Sequence, residues 1–388
     1  MLQRLFIFLL IFLILPDIYL YLRFIVHLTA RRWLKILYWL PTFLLSTGLL
    51  YLVYFSNNAF AERHTQDIGW FSIFFFLFTA PKLLLFLCTV IGIPFHKWLR
   101  WPRTPFICTG LTLAVVSIVM IIYGSFIGRT QFDVKEVTYS SSKLPSSFDG
   151  YRIVQLSDIH IGSWQGNASA IQNLVNLVNE QHPDLIVFTG DLVNHRAIEL
   201  NDFQHILAGL KAKDGVYSIL GNHDYGPYFR WKNKQEQDDN LSDLQQRQAA
   251  MGWKLLNNSH TILIQGNDSI ALIGVENEGE PPFSQYADLP KAMQGTEGMF
   301  QILFSHNPTH WRREVLPESD IDLMLAGHTH AMQLKLGNYS PSSYIYPEWS
   351  GMYLEGTRGL YVNVGIGYVG LPFRFGAWPE ITVLTLRR

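Results

Sequence analysis

Four apolar stretches, each close to the roughly 20 residues needed to cross a bilayer, crowd the first third of the chain. They run Leu5–Leu22, Trp33–Phe55, Trp70–Ile93 and Phe106–Ile127. Only helices and closed barrels satisfy their backbone groups in lipid, and stretches of this length predict helices. Residues 1–128 therefore read as an all-α, four-span transmembrane domain. The first stretch has no long basic leader and no small-residue cleavage site, so it reads as retained. Trp33, Trp39, Trp70, Trp98 and Trp101 lie near the predicted span ends, where interfacial aromatics gather.

Basic residues set an expected orientation. The first loop carries Arg23, Arg31, Arg32 and Lys35, and the third carries Lys97, Arg100 and Arg103. The second holds Arg63 beside Glu62 and Asp67. Positive loops stay in the cytoplasm. This places both chain ends outside and points to a bacterial inner or plasma membrane, with the C-terminal domain on the periplasmic or extracellular side. Pro81-Lys82 interrupts the third stretch. An intramembrane lysine is costly and often functional; here it reads as a kink whose lysine reaches an interface or a bundle carbonyl. Repeats and chains of intramembrane acids, which would suggest a transporter, are not evident.

After Arg129 the composition becomes that of a soluble protein. Residues 129–150 read as a linker and entry strand, and 151–388 as an α/β domain. Arg152–Ser157, Asp184–Thr189, Val216–Leu220, Phe300–Ser305 and Asp322–Ala326 read as buried strands, with further strands at His260–Gln265 and Ser269–Val275. Asn167–Gln181 and Asp202–Lys213 show helical periodicity. Arg230–Asn240 is polar and reads as a loop, with a helix over Leu241–Met251. The net charge of −1 argues against nucleic acid as a partner. Cys88 and Cys108 both precede Arg129, which leaves the second domain without disulfides or thiolate metal sites.

Each of the five main strands runs into a polar residue, often through a glycine: Asp158-Ile159-His160, Gly190-Asp191, Gly221-Asn222-His223-Asp224, Ser305-His306 and Gly327-His328-Thr329-His330. In open α/β sheets ligands bind at the carboxyl ends of strands. Asp158 and His160, like His328 and His330, share one side of an extended segment. Four histidines, two aspartates and an asparagine suit manganese, iron or zinc rather than calcium. Two divalent ions would keep a net positive charge against two carboxylates, which attracts phosphate and acidifies water.

This ordered series resembles the calcineurin-like metallophosphoesterase family over about Tyr151 to Leu386, and the arrangement is similar to its bacterial membrane-anchored branch. The resemblance implies a four-layer sandwich of two mixed β-sheets flanked by helices and a binuclear centre of two divalent metal ions. By motif, Asp158, His160 and His330 would hold the first ion, Asn222, His306 and His328 the second, and Asp191 would bridge them. His223 would stand at the leaving group, with Asp224 orienting its imidazole. One departure is visible: Ala331-Met332 follows the last motif, where the branch often has two glycines.

The implied activity is that of a membrane-anchored hydrolase acting on a phosphomonoester or phosphodiester by a metal-bound hydroxide. The large anchor points to a lipid-linked substrate and to membrane lipid as a partner. Two other readings compete: a metal-bound sensor or scaffold without turnover, and a cytoplasmic-facing nucleotide-diphospholipid pyrophosphatase. His182, His205, His260 and His310 read as structural, and His195 as either a substrate contact or a polar loop residue. The aromatic loops around Tyr228, Phe229 and Trp231 and around Tyr339, Tyr344, Tyr346, Trp349 and Tyr353 read as loop packing or a lipid-facing rim. Arg358 and Arg374 read as salt-bridged structural residues or phosphate holders.

Overall fold

The computed structural model describes residues 2–55 and 65–388. Glu62 and Arg63, part of the charge argument for the second loop, lie outside them. The chain divides into two compact units. One comprises Met1–Ile127 with Gly370–Phe373, the other Gly128–Val369 with Arg374–Arg388.

The first unit is built on four apolar helices: Leu2–Leu20, continued by a π-turn over Tyr21–Ile25, then Arg32–Phe55, Thr65–Leu99 and Thr104–Phe126. Each is long and apolar enough to cross a membrane. Leu13, Leu45, Leu49 and Phe75 form a small buried cluster. Most other apolar side chains face outward, as expected where lipid is the solvent. Gly48 lets the Phe71 ring lie directly on its backbone.

Within these helices the structure corrects the reading of Lys82. Its Nζ lies 2.8 Å from Asp17 Oδ1 and 3.0 Å from Oδ2. Asp17 is fully buried and also accepts from Thr42 Oγ1 and, at 3.2 Å, from the Tyr38 hydroxyl. The lysine is thus neutralised by a carboxylate from the first helix rather than reaching an interface or a lone carbonyl. Removing one partner of a buried pair leaves an uncompensated charge, which costs about 3–5 kcal/mol. Lys82→Met is therefore expected to lower the melting temperature of the detergent-purified chain, and Lys82→Met with Asp17→Asn to recover most of the loss. Equal melting of the single variant and wild type would remove the pair from the stabilising interactions.

The second unit contains two six-stranded sheets. The first runs, edge to edge, Asp133–Ser140 (β1), Glu380–Arg387 (β12), Arg152–Leu156 (β2), Leu185–Phe188 (β3), Val216–Ser218 (β4) and Trp253–Leu255 (β5). The other runs Gly351–Glu355 (β10), Arg358–Val362 (β11), Leu323–Ala326 (β9), Phe300–Phe304 (β8), Asp268–Gly274 (β7) and Ser259–Gln265 (β6). Both are mixed. β2 through β5 are parallel and β12 opposes β2; β7, β8, β9 and β11 are parallel, with β6 and β10 antiparallel at the edges.

Strand alternation divides the core. Leu185, Val187, Ile302, Phe304, Leu323 and Leu325 fill one apolar layer shared by the two sheets. Ile186 and Phe188 turn to the other face, against the helix Ala168–Asn179 through Ile171, Leu174, Val175 and Val178. Leu303, Met324 and Ala326 pack outward on Trp311 and Val315. The result is the expected four layers. Each fully buried aliphatic side chain contributes about 1.5–3 kcal/mol.

Two elements differ from the sequence reading. Lys234–Ala250 is one continuous helix, including most of the stretch read as a loop. Asn233 caps it by accepting from the Glu236 amide at 2.9 Å, and the pairs Lys234–Asp238 and Asp243–Arg247 line its solvated face. Between Asp202 and Lys213, only Gln204–Leu207 is α-helical. Its apolar residues Phe203, Ile206, Leu207 and Leu210 are nevertheless buried, so the periodicity reports a buried face on a shorter helix.

Candidate metal centre

The carboxyl ends of β2, β3, β4, β8 and β9 deliver their loops to one place. The Asp158 amide donates to the Gly190 carbonyl and the His160 amide to that of Asp191, both across strand ends. Gly221 and Gly327 allow the close approach, since a Cβ on the first would strike Asp191 and on the second Ser157 and Asp158. Asp158, His160, Asp191, His328 and His330 all have φ between 46° and 72°. A non-glycine residue rarely adopts this conformation, and such strain gathers at functional sites.

Three overlapping groups of donors result: Asp158, His160 and His330; His160, Asp191 and His223; and Asp191, His306 and His328. His330 Nε2 lies 3.2 Å from Asp158 Oδ1 and 3.1 Å from His160 Nε2. Asp191 Oδ2 lies 3.6 Å from His160 Nε2 and 3.2 Å from His306 Nε2, while His306 Nε2 is 3.2 Å from His328 Nδ1. Asn222 offers a buried Oδ1 that accepts no hydrogen bond, and its Nδ2 is committed to the Tyr228 hydroxyl at 3.0 Å.

Hydrogen bonds behind the rings fix which nitrogens face the centre. His306 Nδ1 contacts the Thr189 carbonyl at 2.8 Å and His223 Nδ1 the Asn194 carbonyl at 2.8 Å, so each Nδ1 carries a proton and Nε2 points inward. His328 Nε2 meets the Tyr346 hydroxyl at 3.1 Å, which leaves Nδ1 inward. His306 Nε2 faces the Asp191 carboxylate oxygen, so a positive charge, either a proton on Nε2 or a cation, must lie between them. The electrostatics agree. Burial opposes charge on His306, yet Asp191 overcomes it and raises the imidazole to about 9. Burial also resists ionisation of Asp191 and Asp158, but His306 and His330 respectively hold them well below the usual carboxylate range. Burial, reinforced by His306, pushes His328 down to about 3. A buried place for positive charge among imidazoles and carboxylates fits intermediate divalent metals.

Residues 151–332 match the calcineurin-like phosphoesterase family. An uncharacterized metallophosphoesterase of Bacillus subtilis (strain 168), YkuE, is 31% identical over 281 residues, covering 68% of this chain and 89% of that protein. The chain belongs to the calcineurin-like phosphoesterase family. Residues 3–129 match a second description, the transmembrane domain of a probable calcineurin-like phosphoesterase, so the chain is a membrane protein. A Danio rerio transmembrane protein with metallophosphoesterase domain is 32% identical over 284 residues, which cover 71% of this chain and 62% of that longer relative.

Within this phosphoesterase domain Asp224 departs from its expected role. Its carboxylate does not touch the His223 ring. It accepts from four backbone amides, those of Gly221, Asp191 and Leu192 at 2.9 Å and of Val193 at 3.2 Å. Adjacent residues at a tight turn face different ways, so the side chain turns under the Asp191 loop while the imidazole turns to the rim. Burial and Asp191 push Asp224 up, to about 7, against those amides. The neighbour that positions His223 is the Asn194 loop, whose amides at 194, 195 and 196 donate to the buried Glu199 carboxylate at 2.7–3.0 Å. His195 stands near His223, with ring centroids 6.2 Å apart.

The remaining candidates separate cleanly. Arg374 is fully buried; it donates to the carbonyls of Val364, Gly367 and Ala377 and to His330 Nδ1 at 2.9 Å, so it steadies a ring rather than a phosphate. Arg358 bonds the carbonyls of Val315, Leu316 and Ile321 and lies over Trp311. His310 sits between Ser305 and Glu314, and His260 against the Ala292 carbonyl. Trp231 donates to Gly226 and Trp349 packs on Ala331, Val364 and Ala377, which makes both tryptophans structural. Tyr339, Tyr344 and Ile345, 45%, 81% and 59% exposed, face outward in that loop. Tyr228 and Tyr346 reach the centre through Asn222 and His328, contacts that aromatic content alone does not reveal.

Ala331 and Met332 follow His330 with φ of 46° and 45°. This backbone favours glycine, and an L-residue there costs roughly 1–2 kcal/mol. Ala331 is fully buried, whereas Met332 is 41% exposed and has less packing to lose. Met332→Gly is therefore expected to stabilise the chain by about 0.5–1 kcal/mol, read as a higher melting temperature; an unchanged or lower one would contradict the strain. Asp224→Ala should weaken divalent-metal retention about 10–100-fold, measured by metal content after dialysis against chelator. Retention equal to wild type would show that the Asp191 loop holds its place without that carboxylate.

Proposed function

We propose that the domain hydrolyses a phosphomonoester or phosphodiester with two divalent metal ions bound at the strand-end rim. Asp158, His160 and His330 are suited to hold one ion, and Asn222, His306 and His328 the other. The carrying observation is the position of Asp191: one carboxylate oxygen stands within 3.6 Å of a nitrogen from each group, as a bridging ligand must. When bound, such a pair supplies Lewis-acid polarisation of the phosphoryl group and a water acidified enough to attack it.

The side chains do the rest. Asp191 Oδ1 accepts from the His223 amide at 2.8 Å, which ties the bridge to the histidine beside it. With its Nδ1–H held by Asn194, the imidazolium form of His223 would give its Nε2 proton to the departing oxygen and return to the neutral Nδ1–H tautomer. Tyr228, 4.5 Å from the His223 ring, limits that ring's movement while holding Asn222. The transmembrane domain and the exposed Tyr344 and Ile345 support a lipid-linked substrate, and the arginine-rich first and third loops support a periplasmic or extracellular catalytic domain.

The test uses the full chain in detergent, stripped of metal and reloaded with manganese, iron or zinc, on a generic phosphodiester and phosphomonoester. Turnover should return with metal. Asp191→Asn should lose both metal and turnover. His223→Ala should keep its metal and lose about 10²–10⁴ in kcat. A wild-type chain that binds metal and turns over neither ester would favour the sensor reading. A C-terminal reporter active only in the cytoplasm would reverse the placement and favour the nucleotide-diphospholipid pyrophosphatase.

A further inference from the structure

The first unit contains a cavity of about 250 Å³ near the ends of its first, third and fourth helices. Its lining includes two cationic residues, Arg23 and Arg103, beside Tyr19 and Thr89, and the apolar Phe24, Ile93 and Phe106. Arg103 Nε is buried and makes no hydrogen bond. Among the described residues neither arginine pairs with a carboxylate, and the sequence explains why. No Asp or Glu occurs from Ile18 to Ala61 or from Ile68 to Phe132, and Asp17 is already engaged by Lys82. Thr89, also in the lining, donates to carbonyls of its own helix.

Two cations at a partly apolar cavity without an internal counter-ion, one of them with a buried Nε that has no partner, suit an anion from outside. The local backbone supports a built site. Arg23 and Phe24 lie in the π-turn Tyr21–Ile25, a wider turn that recurs at functional positions in helices. Arg103 precedes the helix Thr104–Phe126 and caps it with no side-chain hydrogen bond, so its guanidinium is not spent on the helix. The chemistry also says which anion. A free ion needs no apolar wall, whereas a phospholipid brings a phosphate to the arginines and methylenes to Phe24, Ile93 and Phe106. Ile93, a lining residue that is 41% exposed, continues that apolar surface outward. Basic pockets between transmembrane helices are suited to lipid headgroups, and each cation near the surface contributes about 1 kcal/mol of attraction.

We propose that this cavity is a specific site for the headgroup phosphate of an anionic phospholipid, held by Arg23 and Arg103 and lined by Phe24, Ile93 and Phe106 along the first acyl methylenes. The site is independent of the metal centre and of any assignment of substrate.

The full chain, delipidated in detergent, is titrated with phosphatidylglycerol, phosphatidylcholine and inorganic phosphate, with bound lipid read by native mass spectrometry and melting temperature read in parallel. Saturable binding of phosphatidylglycerol is expected, at least tenfold tighter than phosphatidylcholine, with a rise in melting temperature that inorganic phosphate does not reproduce. Arg23→Gln with Arg103→Gln should weaken phosphatidylglycerol binding at least tenfold. Ile93→Trp keeps both charges but fills the apolar half, and it should weaken binding similarly; it decides the matter if the arginine variant does not fold. Undiminished binding in the folded variants, or equal binding of the two lipids, would overturn the proposal. Displacement of phosphatidylglycerol by inorganic phosphate of similar affinity would overturn it too, leaving only a site for small anions.

Discussion

One buried carboxylate organises the catalytic rim. Asp224 takes four amide donors from two loops that leave adjacent parallel strands, and so locks the turn after β3 to the turn after β4. The position of Asp191 depends on this, because its own amide is one of the four. His223 depends on it as well, through its amide bond to Asp191. A side chain without oxygen acceptors at 224 would leave several buried amides without partners, each a penalty of about 1–3 kcal/mol. Loops usually move more than the strands they join; here four hydrogen bonds to one carboxyl group tie two of them together.

Histidines are turned inward by different kinds of partner. Backbone carbonyls hold His306 and His223, a tyrosine hydroxyl holds His328, and an arginine holds His330. Three of these rings are thereby presented by one nitrogen, and all four are pinned from behind. Preorganisation of this kind removes much of the entropy cost of gathering ligands, and it explains why residues well away from the centre, such as Glu199 beneath the Asn194 loop, belong to its support.

Much of this was legible in the sequence. Apolar runs ending in Asp, His or Asn revealed the parallel strands and the rim together, because burial and ligand placement are both encoded within a few residues. The four membrane-length helices followed from apolar runs of sufficient length, whereas the two-sheet sandwich was implied by the resemblance to the calcineurin-like family. What escaped was tertiary. Asp17 and Lys82 are 65 residues apart, and neither announces the other. Asp224 beside His223 invites an imidazole contact that the turn geometry forbids. The helix Lys234–Ala250 lacks an apolar stripe, burying only Leu244 and Gln248, so caps and charge pairs rather than periodicity sustain it. Tyr228 and Tyr346 are ordinary loop aromatics until folding brings their hydroxyls to Asn222 and His328.

The place of β12 has a consequence for biosynthesis. Among the twelve strands of the two sheets it is made after all the others, yet it lies inside its sheet, hydrogen-bonded to β1 on one side and β2 on the other. While the ribosome is still working toward Glu380, neither neighbour has its partner, and the facing edges of both remain open. Such edges invite pairing with other chains, and contacts this distant in sequence form slowly. The nascent domain therefore remains an incomplete sheet until Glu380–Arg387 has been made, when a single strand seals both edges at once.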